Sequence, residues 1–152
     1  MHHKKRPPKV YIHYGNDTFI PSHVCQPQRW DKPSGLWASP INAGWGWKDF
    51  IQADWENRIP TLAMSFRFHL KKGTKILKVK AIRDILPYLK YRKPDFEGDR
   101  NYELDHEKLR REFDGLELFY SGKYNFHDTK LFWSWDCDSL VLWNTNKVEI
   151  IK

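Results

Sequence analysis

Apolar and polar positions along the chain change period several times, and each change marks an element. Val10-Tyr11-Ile12-His13-Tyr14 is β-branched and aromatic and predicts a strand, ended by Gly15-Asn16-Asp17. A long segment with Pro21, Pro27, Pro33 and Gly35 reads as a loop, and loops of that length are more often functional or disordered than neutral. Gly35-Leu36-Trp37-Ala38-Ser39 predicts a second strand, closed by Pro40. Trp47, Phe50, Ile51 and Trp55 then recur on one face of a helix that Asn42 could cap and Pro60 should stop. Residues 62–70 alternate as a strand, Lys71-Lys72-Gly73-Thr74 turns, and Ile76-Leu77-Lys78-Val79-Lys80 follows, which predicts a hairpin.

Ile82, Ile85, Leu86 and Leu89 share a face and predict a short helix over 82–91, with Pro87 inside it. Residues 92–104 read as a polar loop. Asp105 caps a helix running to Phe113, and residues 115–120 alternate as a strand. Residues 121–135 read as an aromatic loop or short helix. Leu140-Val141-Leu142-Trp143 is a buried type of strand, and Val148-Glu149-Ile150-Ile151 follows an Asn144-Thr145-Asn146 turn. The sum is an α+β domain with six or seven strands in mixed or antiparallel sheets and two or three helices. Residues 1–9 are expected as a basic flexible lead and residues 10–152 as one globular domain.

Composition narrows the function classes. The 152 residues suit one domain, and 16% aromatic content, with eight Trp, supplies apolar area for an independent core. The 26 Lys and Arg outnumber the 19 Asp and Glu, giving a formal net charge of +7. That favours anionic ligands, although it also serves solubility. No apolar run approaches the roughly 18 residues of a membrane span, and no apolar stretch follows the basic start, so neither membrane nor secretory signal is expected. Cys25 and Cys137 are too few for a disulfide framework and are expected as thiols in a cytoplasmic protein.

Four constellations bear chemistry. Gly15, after the opening strand, lets a ligand approach the backbone, and the nearby His13 can hydrogen-bond a ribose hydroxyl; an ordinary strand end is the plainer reading. Trp37 and Trp47 suit stacking on a flat ring and Ser39 suits a sugar hydroxyl, though both indoles also suit a core. Asp136 and Asp138 sit at i and i+2 before a buried strand, where a carboxylate can stabilise an oxocarbenium-like carbon or simply cap a turn. Lys71, Lys72, Lys75, Lys78 and Lys80 form either a nucleic-acid footprint or a solvated face. No phosphate-loop motif, G-x-S-x-G, HExxH or metal-ligand spacing is present, so no metal is expected.

Taken in order, the His13-Tyr14-Gly15 strand end, Lys32-Pro33-Ser34-Gly35-Leu36-Trp37-Ala38-Ser39 leading to Gly44-Trp45-Gly46-Trp47, and Asp136-Cys137-Asp138 before Ser139-Leu140-Val141-Leu142-Trp143 resemble the ADP-ribosyltransferase-like fold. The likeness is to its small bacterial and phage members and spans about residues 10–144. The resemblance implies NAD as substrate, bound across a split between two sheets. His13 or Tyr14 would meet a ribose, Gly15 would supply backbone contacts, and Ser39 with Trp37 or Trp47 would line the nicotinamide pocket. Asp138 would act at the nicotinamide ribose with Asp136 as the upstream acid, and a protein, a nucleic acid or water would accept. Two positions depart from the pattern: Tyr14 separates His13 from Gly15, and Asp138 is one methylene shorter than the usual Glu. A non-catalytic module binding nucleotides or nucleic acid through basic and aromatic residues is the alternative.

Overall fold

The computed structural model describes residues 7–29, 31–121, 132 and 135–152. The protein is α+β, with a mixed eight-stranded sheet, a two-stranded ribbon and short helices. The strands are β1 Tyr11–Tyr14, β2 Cys25–Gln26, β3 Gly35–Pro40, β4 Ser65–Leu70, β5 Ile76–Val79, β6 Leu89–Tyr91, β7 Tyr102–Leu104, β8 Gly115–Leu118, β9 Ser139–Leu142 and β10 Val148–Ile150. The helices are α1 Pro21–Val24, α2 Trp47–Asp54, α3 Ile82–Ile85 and α4 His106–Glu112. The main sheet runs β10-β4-β1-β3-β9-β8-β5, with β2 alongside β3, and β6 pairs β7.

Its two faces carry separate cores. Val141 packs with Val79, Leu116, Leu118, Phe132 and Trp135, whereas Leu140 and Leu142 pack with Tyr11, Leu36, Phe66 and Phe68. A strand covered on both faces has no polar side to alternate, which accounts for the unbroken apolar run in β9. On β8 the alternation survives as Leu116-Glu117-Leu118, yet Glu117 is also buried. It accepts hydrogen bonds from the Tyr11 hydroxyl at 2.6 Å and from Lys9 Nζ at 2.5 Å, so both charge and position are compensated.

Several expectations are corrected. The predicted hairpin of residues 62–70 with 76–80 does not form: β4 pairs β1 and β10, and β5 pairs β8 in parallel. The turn between them is real, with Gly73 at φ +85°. Pro60 does not stop α2, which ends at Asp54, and a 3-10 segment over Glu56–Ala63 contains that proline. The helix predicted over 82–91 is only α3 plus a 3-10 turn at Leu86–Tyr88, because Pro87 cannot continue the ladder. Its end becomes β6, and the expected loop 92–104 ends as β7. The long loop after β1 contains α1 and β2. Asp105 does cap α4, accepting the Lys108 amide at 3.1 Å. Of the predicted aromatic segment 121–135, residues 122–131, 133 and 134 lie outside the described residues. No helix among the described residues is long and apolar enough to cross a membrane.

Candidate functional site

The site begins with an incomplete ladder. β1 pairs β4 through all four of its residues but pairs β3 only at Tyr11↔Pro40 and Ile12↔Ser39. The same edge of β3 takes up β2 at Gly35 and Leu36, while β9 holds the other edge. Between these pairings Trp37 has no strand partner on that side among the described residues. His13 reaches across, its Nδ1 lying 2.7 Å from the Trp37 carbonyl oxygen. A carbonyl only accepts, so Nδ1 carries the proton. Nε2 lies 3.1 Å from Asn16 Oδ1.

A cavity of about 650 Å³ opens at this gap. His13, Tyr14 and Gly15 line it from the end of β1, Trp37 from β3, and Trp47 with Ile51 from α2. Trp55, Arg58 and Thr61 follow from beyond α2, and Arg29 and Lys32 from the loop before β3. The Trp37 and Trp47 rings meet edge to face at 6.4 Å, and Trp37 meets Trp135 at 4.6 Å. Lys32 Nζ sits 5.6 Å from the Trp37 ring centroid and the Arg58 guanidinium 4.9 Å from that of Trp55. Trp47 buries its Nε1–H without an acceptor among the described residues. Burial pushes the Tyr14 phenol above its ordinary value.

Gly15 has φ +103°, and nothing stands within 4 Å of where a Cβ would be, so the backbone is open there. Its amide, however, donates to the Met64 carbonyl at 2.8 Å. The amide half of the expected backbone contact is thus spent inside the protein.

Ser39 and the two acids lie elsewhere. The Ser39 hydroxyl donates to the Asp138 carbonyl at 2.7 Å and accepts the Trp47 amide at 2.9 Å, fixing the start of α2 against β9. It acts on the cavity through Trp47. The Asp138 carboxylate accepts the Ser121 amide at 2.7 Å, the Ser121 hydroxyl at 2.5 Å and the Trp45 amide at 3.3 Å. Asp138 is 6% exposed and does not line the larger cavity. Asp136 lines a second cavity of about 360 Å³ with Trp45, Phe50, Asp54, Tyr120 and Ser121. Helix α2 therefore stands between two cavities: Trp47 and Ile51 face the first, Phe50 and Asp54 the second.

The structure thus brings His13, Tyr14, Gly15, Trp37 and Trp47 together and leaves Ser39, Asp136 and Asp138 outside their cavity. Sequence reasoning passed over Arg29, Arg58 and Trp55 as site residues. Trp55 carried a signal, the i+8 place on the Trp47 face, which reads as core, whereas in the structure it stays 38% exposed at the cavity. Among the described residues no group of three or more His, Cys, Asp or Glu could hold a metal. Compared with known protein families, curated proteins and solved structures, the chain matches none.

Proposed function

We propose that the protein is an NAD-dependent, ADP-ribosyltransferase-like enzyme that cleaves the nicotinamide–ribose bond. The observation that carries the reading is the convergence, at the β1–β3 gap, of an imidazole, two indoles and three cations in one cavity. The indoles of Trp37 and Trp47 offer faces to a planar ring, and Arg29, Lys32 and Arg58 offer charge to a pyrophosphate. In the reaction the bond from the ribose anomeric carbon to the pyridinium nitrogen breaks, and its electron pair leaves with nicotinamide. An acceptor oxygen or nitrogen bonds that carbon and loses its proton. In this reading the carboxylate that lowers the energy of the cationic carbon is that of Asp138, which lies outside the cavity and has to leave Ser121 and Trp45 to meet the sugar. NAD as substrate and two thiol cysteines suit a reducing, cytoplasmic setting.

A second reading is a nucleotide-binding module without turnover. It is favoured by the Asp138 carboxylate, whose three hydrogen bonds already go to Ser121 and Trp45. One experiment separates the two. Purified protein is titrated with NAD by calorimetry and assayed for nicotinamide release, alone and with cell extract as acceptor, for wild type, Trp47→Ala and Asp138→Asn. The enzyme reading expects release that Asp138→Asn abolishes and binding that Trp47→Ala weakens. Binding without release leaves the module, and no binding overturns both for NAD.

A further inference from the structure

The larger cavity is electrostatically one-sided. Among the described residues Arg29, Lys32 and Arg58 line it, and no Asp or Glu does. None of the three makes an ion pair among the described residues. A fourth cation adjoins them: Arg110 of α4 donates from Nη2 to Ser34 Oγ at 3.0 Å and to Gln28 Oε1, on the loop that carries Arg29 and Lys32. That loop is tightened by reciprocal backbone bonds between Arg29 and Lys32, at 2.8 and 3.2 Å, so the two side chains are presented from one short turn. A dinucleotide brings two phosphate charges. Three cations at the opening, with Arg110 bonded to the loop that carries two of them, exceed that need, and a cleft lined by one sign of charge concentrates a ligand of opposite and higher charge.

Aromatic placement says what kind of polyanion. Trp55 is 38% exposed at the cavity and holds the Arg58 guanidinium near its ring. An open indole next to a cation is the pairing that takes a base on its face and the adjoining phosphate on its charge. The concavity, about 650 Å³, has room for unstacked nucleotides and not for a duplex, whose bases stay stacked inside the helix.

We infer that the acceptor is a single-stranded nucleic acid, one base stacking on Trp55 and its phosphates meeting those of Arg29, Lys32, Arg58 and the adjoining Arg110 that the NAD pyrophosphate leaves free. This rests on the cavity being the nucleotide site proposed above and names the substrate class that meets it.

The test is fluorescence anisotropy with a labelled single-stranded oligonucleotide of about twelve residues, as DNA and as RNA, at several salt concentrations. Wild type should bind with a log–log salt slope that Arg29→Ala, Lys32→Ala and Arg58→Ala each reduce by about 0.7. Arg29→Lys and Arg58→Lys keep the charge and should keep the slope. Trp55→Ala should weaken binding without changing the slope. Lys72→Ala with Lys75→Ala, on the exposed turn before β5, should leave it unchanged. Equal or tighter binding to duplex overturns the inference, as does a slope carried by Lys72 and Lys75 or an oligonucleotide bound no tighter than a nucleoside triphosphate. The NAD calorimetry is read separately: cavity-dependent oligonucleotide binding without NAD binding removes only the NAD reading, and the converse removes only the acceptor.

Discussion

The Nδ1–H of His13 donates to the carbonyl oxygen of Trp37 at 2.7 Å, across the gap where β1 and β3 have parted. One side chain here replaces the ladder bond that a strand neighbour would have made. His13 also packs its ring 5.0 Å from Phe66, so donor and packing can be separated. His13→Phe retains the packing and leaves the Trp37 carbonyl without its donor. A loss of about 1–3 kcal/mol is expected in urea unfolding, with weakened nucleotide binding. His13→Ala should cost more, because the ring contact goes as well. Equal stabilities for wild type and His13→Phe would refute the bridge.

Asp138 is the knot between three segments. Its carboxylate holds the Ser121 amide and hydroxyl and the Trp45 amide, while its own amide donates to the Trp45 carbonyl at 2.8 Å. Asp138→Asn keeps the shape but replaces one acceptor oxygen with a donor facing other donors. Destabilisation of about 1–3 kcal/mol is expected. Ser121→Ala removes only the hydroxyl bond and should cost roughly 1 kcal/mol. Thermal unfolding of the two variants orders them, and the reverse order would place the carboxylate outside this network.

Much of the fold is legible in the residues, and the strands that pair unexpectedly share one cause. β9 reads as buried because Leu140-Val141-Leu142 offers no polar side, and α4 reads from its Asp105 cap. The Lys71–Thr74 turn is legible too, with its glycine at positive φ, but local turn chemistry does not choose partners. β4 finds β1 and β10, and β5 finds β8, through contacts far away in sequence. The site divides in the same way. His13, Gly15, Trp37 and Trp47 are legible because a strand end and a helix face announce themselves locally. Arg29 and Arg58 are not, since nothing in their own neighbourhood says that two distant loops face one cavity.

The two cysteines should respond differently to pH and reagent. Cys25 is exposed, whereas Cys137 is fully buried and burial pushes its thiol up to about 12 from the ordinary 9.0. The folded state then holds a proton that the unfolded chain releases above 9.0. The contribution to stability is complete below that value and is lost as pH rises from about 9 towards 12. Tyr11, raised by burial and by the adjacent Glu117, adds a loss of the same sign. Denaturation midpoints should fall across that alkaline window and fall less for Cys137→Ala. A thiol-reactive dye should titrate one cysteine in native protein and two in denaturant; two in native protein would contradict the burial.

The β6–β7 ribbon is closed by a different ionisation. Asp99 accepts the Asp95 amide and the Arg92 guanidinium, each at 2.9 Å, and the Arg100 amide at 2.8 Å. The Asp95 amide first, and Arg92 next, hold its carboxyl down at about 2 from the ordinary 3.8. A depressed pKa stabilises above the unfolded value and loses that contribution as pH falls through the folded one. Amide exchange in residues 92–101, taken relative to the intrinsic rate at each pH, should therefore accelerate between about pH 4 and 2. Asp99→Asn should show the fast exchange already at neutral pH, and protection unaffected by either change would place the closure elsewhere.

Gly35 sits where neither its torsion nor its surroundings admit a side chain. Its φ is +146°, and an added Cβ would stand 2.4 Å from the Leu142 carbonyl oxygen and 2.7 Å from its carbon. Those are backbone atoms of β9, a strand held between β3 and β8, so they cannot swing aside as a flexible side chain would. Gly35→Ala must therefore either force the strands apart or break the register that sets Trp37 against the β1 gap. A loss of at least about 3 kcal/mol is expected from torsional strain and overpacking together. Gly73→Ala provides the comparison, because Gly73 has φ +85° with nothing within 4 Å of its added Cβ and so reports strain alone. The difference between the two melting temperatures measures the steric part. Should the two substitutions prove equally costly, the close approach of β3 to β9 at this position would be wrong, and with it the placement of the Trp37 wall of the cavity.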